Sequence, residues 1–145
     1  MVDVSAKAET VREARARATL RMRPATLRAI RQGSIAKGDV LGVARLAGIM
    51  AAKRTAEWIP LCHPLRLTAV EVQFVLDRAR SAVHVETTVR TVDKTGVEME
   101  ALTAAAAASL ALYDMVKAID RGMVLSRLAL LEKSGGRSGL WRRRA

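Results

Sequence analysis

An α+β fold, with an antiparallel sheet carrying helices on one face, is what this 145-residue chain predicts, and three observations predict it. Segments whose apolar residues recur at every second position are interleaved with segments of helical spacing. Cap and turn residues stand where one kind of segment gives way to the other. Half of the residues are hydrophobic, yet only four are Phe, Trp or Tyr, so the core is built from Ala, Leu, Val, Ile and Met.

The elements follow in order. From Val11 onward Ala14, Ala16, Ala18, Leu20 and Met22 face one way, and Glu13, Arg15, Arg17, Thr19 and Arg21 the other, which predicts a strand with one solvated face. Pro24 suits a helix's first turn and Gly33 its exit, so residues 25–32 form a short helix. After a loop over residues 34–38, Asp39 is a good N-cap for a helix running through Val40, Val43, Leu46 and Met50 towards Trp58. Pro60 and Pro64 end it and force the next segment into extended or turn geometry. Two strands follow. Val70, Val72, Phe74 and Leu76 alternate with Ala69, Glu71, Gln73 and Val75 in the first, and Val83, Val85, Thr87 and Val89 with His84, Glu86, Thr88 and Arg90 in the second.

A turn over residues 93–96 leads to a long helix from about Glu98 to Asp120, closed by Arg121 and Gly122. Residues 124–131 read as a last, mostly buried strand. The order β-α-β-β-α-β, with one extra short helix, is that of a ferredoxin-like sandwich. Length and the absence of a linker make it a single domain over 1–145, with a flexible basic tail from about residue 134.

The net charge of +11 raises the question of a nucleic-acid partner. Residues 1–31 carry eight basic and three acidic groups and residues 133–145 carry five basic and none, so the middle is close to neutral. With so few aromatics a base-stacking platform is hard to build, and no specific nucleic-acid motif occurs. The apolar run Ala104 to Ala108 is too weakly hydrophobic to span a bilayer. No charged-then-apolar leader follows Met1, and one cysteine excludes an intramolecular disulfide, so the cytoplasm is the expected compartment.

The stretch IPLCHPL, residues 59–65, holds the only cysteine, Cys62, beside His63, with a proline on either side. One Cys and two His do not complete a four-ligand structural zinc site. As a nucleophile pair Cys62 and His63 meet only the minimum, and free cysteines are more often small buried hydrophobes. His63 is either a loop histidine bonded to the backbone or a ring whose direction is fixed before a ligand arrives. In the long helix Asp114, Lys117 and Arg121 share one face, as a salt-bridged solvated stripe or as a site. Asp120 points elsewhere and reads as solvent decoration. Glu98 and Glu100 flank Met99, either for the helix dipole or as carboxylates aimed at a ligand. Lys37 precedes Gly38 in a loop that lacks P-loop spacing. Lys133 and Arg137 lie in a glycine-rich segment that is a frayed tail, or a clamp where a phosphate is near.

Five blocks, MVDVSAKAETVREARA, KGDVLGVARLAGIMAAKRTAEWIPLCHPL, GVEMEALTA, YDMVKAIDRGM and LLEKSGG, together resemble the molybdenum cofactor biosynthesis protein C (MoaC) family, the cyclic pyranopterin monophosphate synthases. The resemblance implies a lyase that rearranges 3′,8-cyclo-7,8-dihydro-GTP to cyclic pyranopterin monophosphate with loss of pyrophosphate. It implies no redox cofactor, and hexamers of three dimers with active sites at dimer interfaces; from the residues themselves no metal site is expected. Carried onto this chain it puts Asp114, Lys117 and Lys37 at the chemistry. Leu61, Cys62 and His63 form one substrate-binding segment, and Glu98, Met99 and Glu100 a second. Arg12, Lys53 and Lys133 become basic positions gathered around the substrate. The alternative from another class is a non-catalytic basic nucleotide- or RNA-binding module on the same scaffold, whose affinity would fall steeply with salt.

Overall fold

The computed structural model describes residues 1–144. Its elements are β1 (Thr10–Arg21), α1 (Pro24–Gln32), α2 (Val40–Ala52), α3 (Thr55–Trp58), β2 (Leu67–Asp77), β3 (Ala82–Asp93), α4 (Glu98–Val116), β4 (Val124–Ser134) and β5 (Trp141–Arg142). The strands form one antiparallel sheet in the order β2-β3-β1-β4-β5. The first four strands thus have the expected ferredoxin-like arrangement.

The period-two pattern explains the layering. Ala14, Ala16, Ala18 and Leu20 of β1 and Val83, Val85 and Val89 of β3 turn inward and are essentially inaccessible. Helix α4 packs on β1 and β3, and α2 packs on α4 and β2. Small side chains let these layers approach. A Cβ on Gly48 of α2 would sit 3.0 Å from the Ala104 carbonyl oxygen and 3.2 Å from the Ala108 Cβ. The opposite sheet face is a charged ladder, with Arg17 on Glu86 at 2.6 Å and Arg90 on both Glu13 and Glu71.

Asp39 caps α2 as expected, accepting from the Gly42 amide at 2.9 Å. Three expectations are corrected, and the last segment of the chain adds a short strand. The helix predicted to run to Trp58 breaks after Ala52, where the buried Thr55 hydroxyl donates to the Ala52 carbonyl and starts the separate turn α3. Helix α4 ends at Val116, not Asp120. Strand β4 continues to Ser134 and is only partly buried, because it lies near the sheet edge. Beyond it, the segment read as a flexible tail turns at Gly135 and Gly136 and returns as β5, pairing Lys133 with Trp141 and Glu132 with Arg142. A Cβ on Gly135 would collide with the Val11 carbonyl, so this turn requires glycine.

By length and composition alone α4 could cross a membrane, contrary to the expectation for its alanine run. Its packing identifies it instead as the core helix, with Ala101, Ala104, Ala105, Ala108 and Leu112 all fully buried.

Candidate active site

Three groups of side chains stand out, and the direction of α4 relates them. At its C-terminal end the loop after α1 brings Lys37 onto Asp114, a residue 77 positions away. The Lys37 ammonium donates to the Asp114 carboxylate at 2.9 Å and to the Asp114 main-chain carbonyl at 2.8 Å. Lys117, one helical turn on, donates to the other carboxylate oxygen at 2.6 Å. These bonds, that of Lys117 first and that of Lys37 next, hold the Asp114 carboxyl down at about 2. All three side chains are about half exposed, so in one subunit the cluster is open to solvent. Arg121 lies past the end of α4. Its carbonyl accepts from the Tyr113 hydroxyl at 3.0 Å, and its guanidinium makes no ion pair among the described residues.

At the N-terminal end of α4 the IPLCHPL segment forms a turn, in which the Cys62 amide donates to the Ile59 carbonyl at 3.0 Å. Leu61, Cys62 and His63 face Glu98, Met99 and Glu100 across a cavity of about 320 Å³. Two stretches that the family resemblance assigns to substrate binding therefore share one concavity. Glu100 is 4% exposed. Burial, reinforced by the neighbouring Glu98 against a stabilising bond from Glu100's own amide, pushes its carboxyl up to about 7. Burial and then Glu100 also push the Cys62 thiol up, away from a reactive thiolate.

Val2, Val4 and Lys7 close this cavity on one side, and Lys7 also borders a second cavity of about 590 Å³. Arg12, Arg137 and Ser138 line that second cavity. Arg12 shares the inward face of β1, but at the strand's start it passes the edge of the core. Its guanidinium donates to the carbonyls of Asp93 and Lys94, which fixes the side chain and leaves its charge uncompensated. Lys133 contacts the Ser138 hydroxyl at the rim. Because Lys37 precedes α2 and meets the far end of α4, the two helices run antiparallel. Lys53, at the C-terminal end of α2, therefore lies towards the cavity end of α4 without lining either cavity.

The lysine–aspartate cluster and the cavity do not meet within one chain. From Met99 to Asp114 the helix rises about 22 Å, at about 1.5 Å per residue. Lys7, Val2 and Val4 were not picked out as site residues. Their signal was available only in the block MVDVSAK, which carries neither helical nor strand periodicity.

Two residues outside the site are also settled. His84 sits on the outer sheet face, 2.9 Å from the Thr19 hydroxyl and 3.3 Å from Asp77. Asp120 is a correction: it is 4% exposed, not solvent decoration. It accepts from the Arg23 amide and the Thr26 hydroxyl, both at 2.9 Å, and so caps α1, whose own N-cap residue supplies no side-chain bond. Among the described residues no three His, Cys, Asp or Glu side chains cluster as a metal-ligand set.

Comparison with known proteins bears on the whole of this arrangement. A cyclic pyranopterin monophosphate synthase of Thermomicrobium roseum is 61% identical over 143 residues, 99% of this chain and 86% of that protein. Proteins of the same name from Heliobacterium modesticaldum and a Roseiflexus species are 60% and 62% identical, each over 96% of this chain and 87% and 88% of their own lengths. The MoaC family model matches residues 1–136, a span that holds the lysine pair with its carboxylate, the proline-framed wall and every other predicted site residue, and the chain belongs to the MoaC family.

Proposed function

We propose that the chain is a cyclic pyranopterin monophosphate synthase, a lyase of molybdenum cofactor biosynthesis acting in the cytoplasm. It takes 3′,8-cyclo-7,8-dihydro-GTP to cyclic pyranopterin monophosphate and pyrophosphate. The observation that supports this best is the pairing of Lys37 and Lys117 on Asp114, side chains from two distant stretches meeting at one point. Two ammonium groups on a single carboxylate have fixed positions and carry donatable protons. Asp114, anionic down to about pH 2, orients them.

Rearranging the purine-derived ring needs several proton transfers, which Lys37 and Lys117 carry. Closing the cyclic phosphate forms an oxygen–phosphorus bond at the innermost phosphate and breaks the bond to pyrophosphate. Charge grows on the phosphate oxygens in that step, and the ammonium groups stabilise it. The ring lies against Leu61, Cys62, His63 and Met99, with Glu98 and Glu100 bonding its polar edge. Lys7, Arg12, Lys53, Lys133 and Arg137 supply cations to the triphosphate.

Acid–base groups act at hydrogen-bond distance, so a wall about 22 Å of helix away from the lysines cannot serve them in the same subunit. The active site is accordingly composite, with the lysine pair of one subunit completing the cavity of another. The assembly is a hexamer of three dimers. The reaction is tested by incubating the purified chain with the cyclised GTP intermediate and following cyclic phosphate product and pyrophosphate. A folded protein that leaves the intermediate unchanged refutes the assignment.

A further inference from the structure

Away from both cavities, α1 and the β2–β3 turn enclose a pocket of about 290 Å³. Its floor includes the apolar side chains Leu27 and Leu76, and its rim carries Arg28, Arg31, Arg78 and Ser81. Arg28 and Arg31 stand three apart on α1 and project from the same side of the helix. Arg78 reaches the rim from the turn after β2.

No acidic residue lines this pocket. The carboxylates next to it are already engaged: Asp77 by Arg80 and His84, and Asp120 by Arg23 and Thr26. The chain does pair arginines elsewhere, as with Arg17 on Glu86, Arg90 on Glu13 and Arg142 on Glu132. Arg28, Arg31 and Arg78 make no ion pair among the described residues, and all three line the same concavity. Arg31 gains from the C-terminal dipole of α1, but Arg28 and Arg78 have no such partner. Like charges gathered this way repel, and a bound anion converts the repulsion into attraction.

We propose that this pocket is a second anion site, distinct from the substrate cavity, that binds a diphosphate group. Planar guanidinium forks match phosphate oxygens two at a time, and three of them suit a multiply charged group better than a single carboxylate. The volume lies at the low end of small-molecule sites, about 300–1,000 Å³, which favours a compact ligand. The apolar floor takes the uncharged part of whatever carries the diphosphate. Free pyrophosphate and a guanine nucleotide share this chemistry. The inference does not depend on turnover, since none of these side chains belongs to the proposed active site.

The test is calorimetric titration of the full chain with pyrophosphate, at ionic strength held constant with chloride. Wild type is expected to show a class of sites that the Arg28→Ala/Arg31→Ala/Arg78→Ala variant binds at least about tenfold more weakly. Turnover of that variant stays at the wild-type level. The Arg12→Ala variant keeps this class, which separates it from the substrate cavity. Replacing pyrophosphate by GTP identifies the source: tighter binding at this class marks a nucleotide ligand, and equal or weaker binding marks the free anion. A triple variant that titrates like wild type, or binding that matched chloride abolishes, overturns the proposal.

Discussion

A carboxylate that accepts from two ammonium groups at 2.6 and 2.9 Å keeps its charge to about pH 2 and is a poor base at neutrality. Around Asp114 the protons therefore reside on the lysines. Removing one of them takes away a donor without disturbing the core, because all three side chains are half exposed. Lys117→Ala is expected to lower product formation by about 10²–10⁴-fold while circular dichroism and melting stay near wild type. Cys62 and His63 divide in the same way. The thiol is raised by burial, so Cys62→Ser is expected to retain much of the turnover, whereas His63→Ala, at the same cavity wall, loses most of it. A dead Cys62→Ser protein with intact assembly would reinstate a nucleophilic role.

Glu100 carries the pH dependence. Its carboxyl is raised from 4.5 in the unfolded chain to about 7, so between those values the folded state binds more protons than the unfolded one. Stability then falls as pH rises through this window. Glu100→Gln, neutral throughout, is expected to be more stable than wild type above pH 7 by about 1–3 kcal/mol, discounted for the water that the cavity admits. The two should converge near pH 4.5, which chemical denaturation at several pH values measures.

At the scale of elements, Asp120 ties the exit of α4 to the entrance of α1 across 97 residues of sequence. Asp120→Ala leaves the Arg23 amide and the buried Thr26 hydroxyl without partners. It is expected to lower stability by about 2–4 kcal/mol, combining a lost cap with unsatisfied buried donors, as urea denaturation would register. That same residue marks where local reading ends. The strands were legible because a half-buried sheet writes its faces into the sequence at period two, as in Ala14 to Leu20 and Val83 to Val89. The Asp39 cap was legible because its acceptor and the Gly42 donor are three residues apart. Asp120 was not, since its partners are far away in sequence, and an aspartate after a helix looks like surface. The break between α2 and α3 was hidden by a run of good helix formers, and the return of the chain as β5 by a composition that otherwise describes a tail. In the site, Asp114 with Lys117 was visible as a helical spacing. Lys37 joined them only through the resemblance, and Lys7 emerged only once the N-terminal segment had folded against the cavity.

At the scale of the whole molecule, the proposed function requires two ends of one helix to serve one small substrate. Helix α4 holds the lysine pair at one end and the cavity at the other, and its burial between the sheet and α2 excludes any bending that would join them. The outer surface of the helical layer leaves Val43, Leu46, Met50 and Leu110 between 45% and 58% exposed, apolar area that association with another copy would remove from water. A composite site makes a quantitative prediction. His63→Ala subunits retain a working lysine pair, and Lys117→Ala subunits retain a working wall. When the two inactive proteins are unfolded together and refolded at equal concentrations, half of the pairs are mixed. Each mixed pair has one site built wholly from intact parts and one carrying both lesions. Turnover of the mixture is thus expected to recover to about a quarter of wild type for a two-fold symmetric pair. If cluster and cavity instead served separate sites within each chain, every subunit would remain defective and the mixture would be as inactive as its parents. Steady-state turnover before and after co-refolding, with chromatography confirming equal assembly size, distinguishes the two.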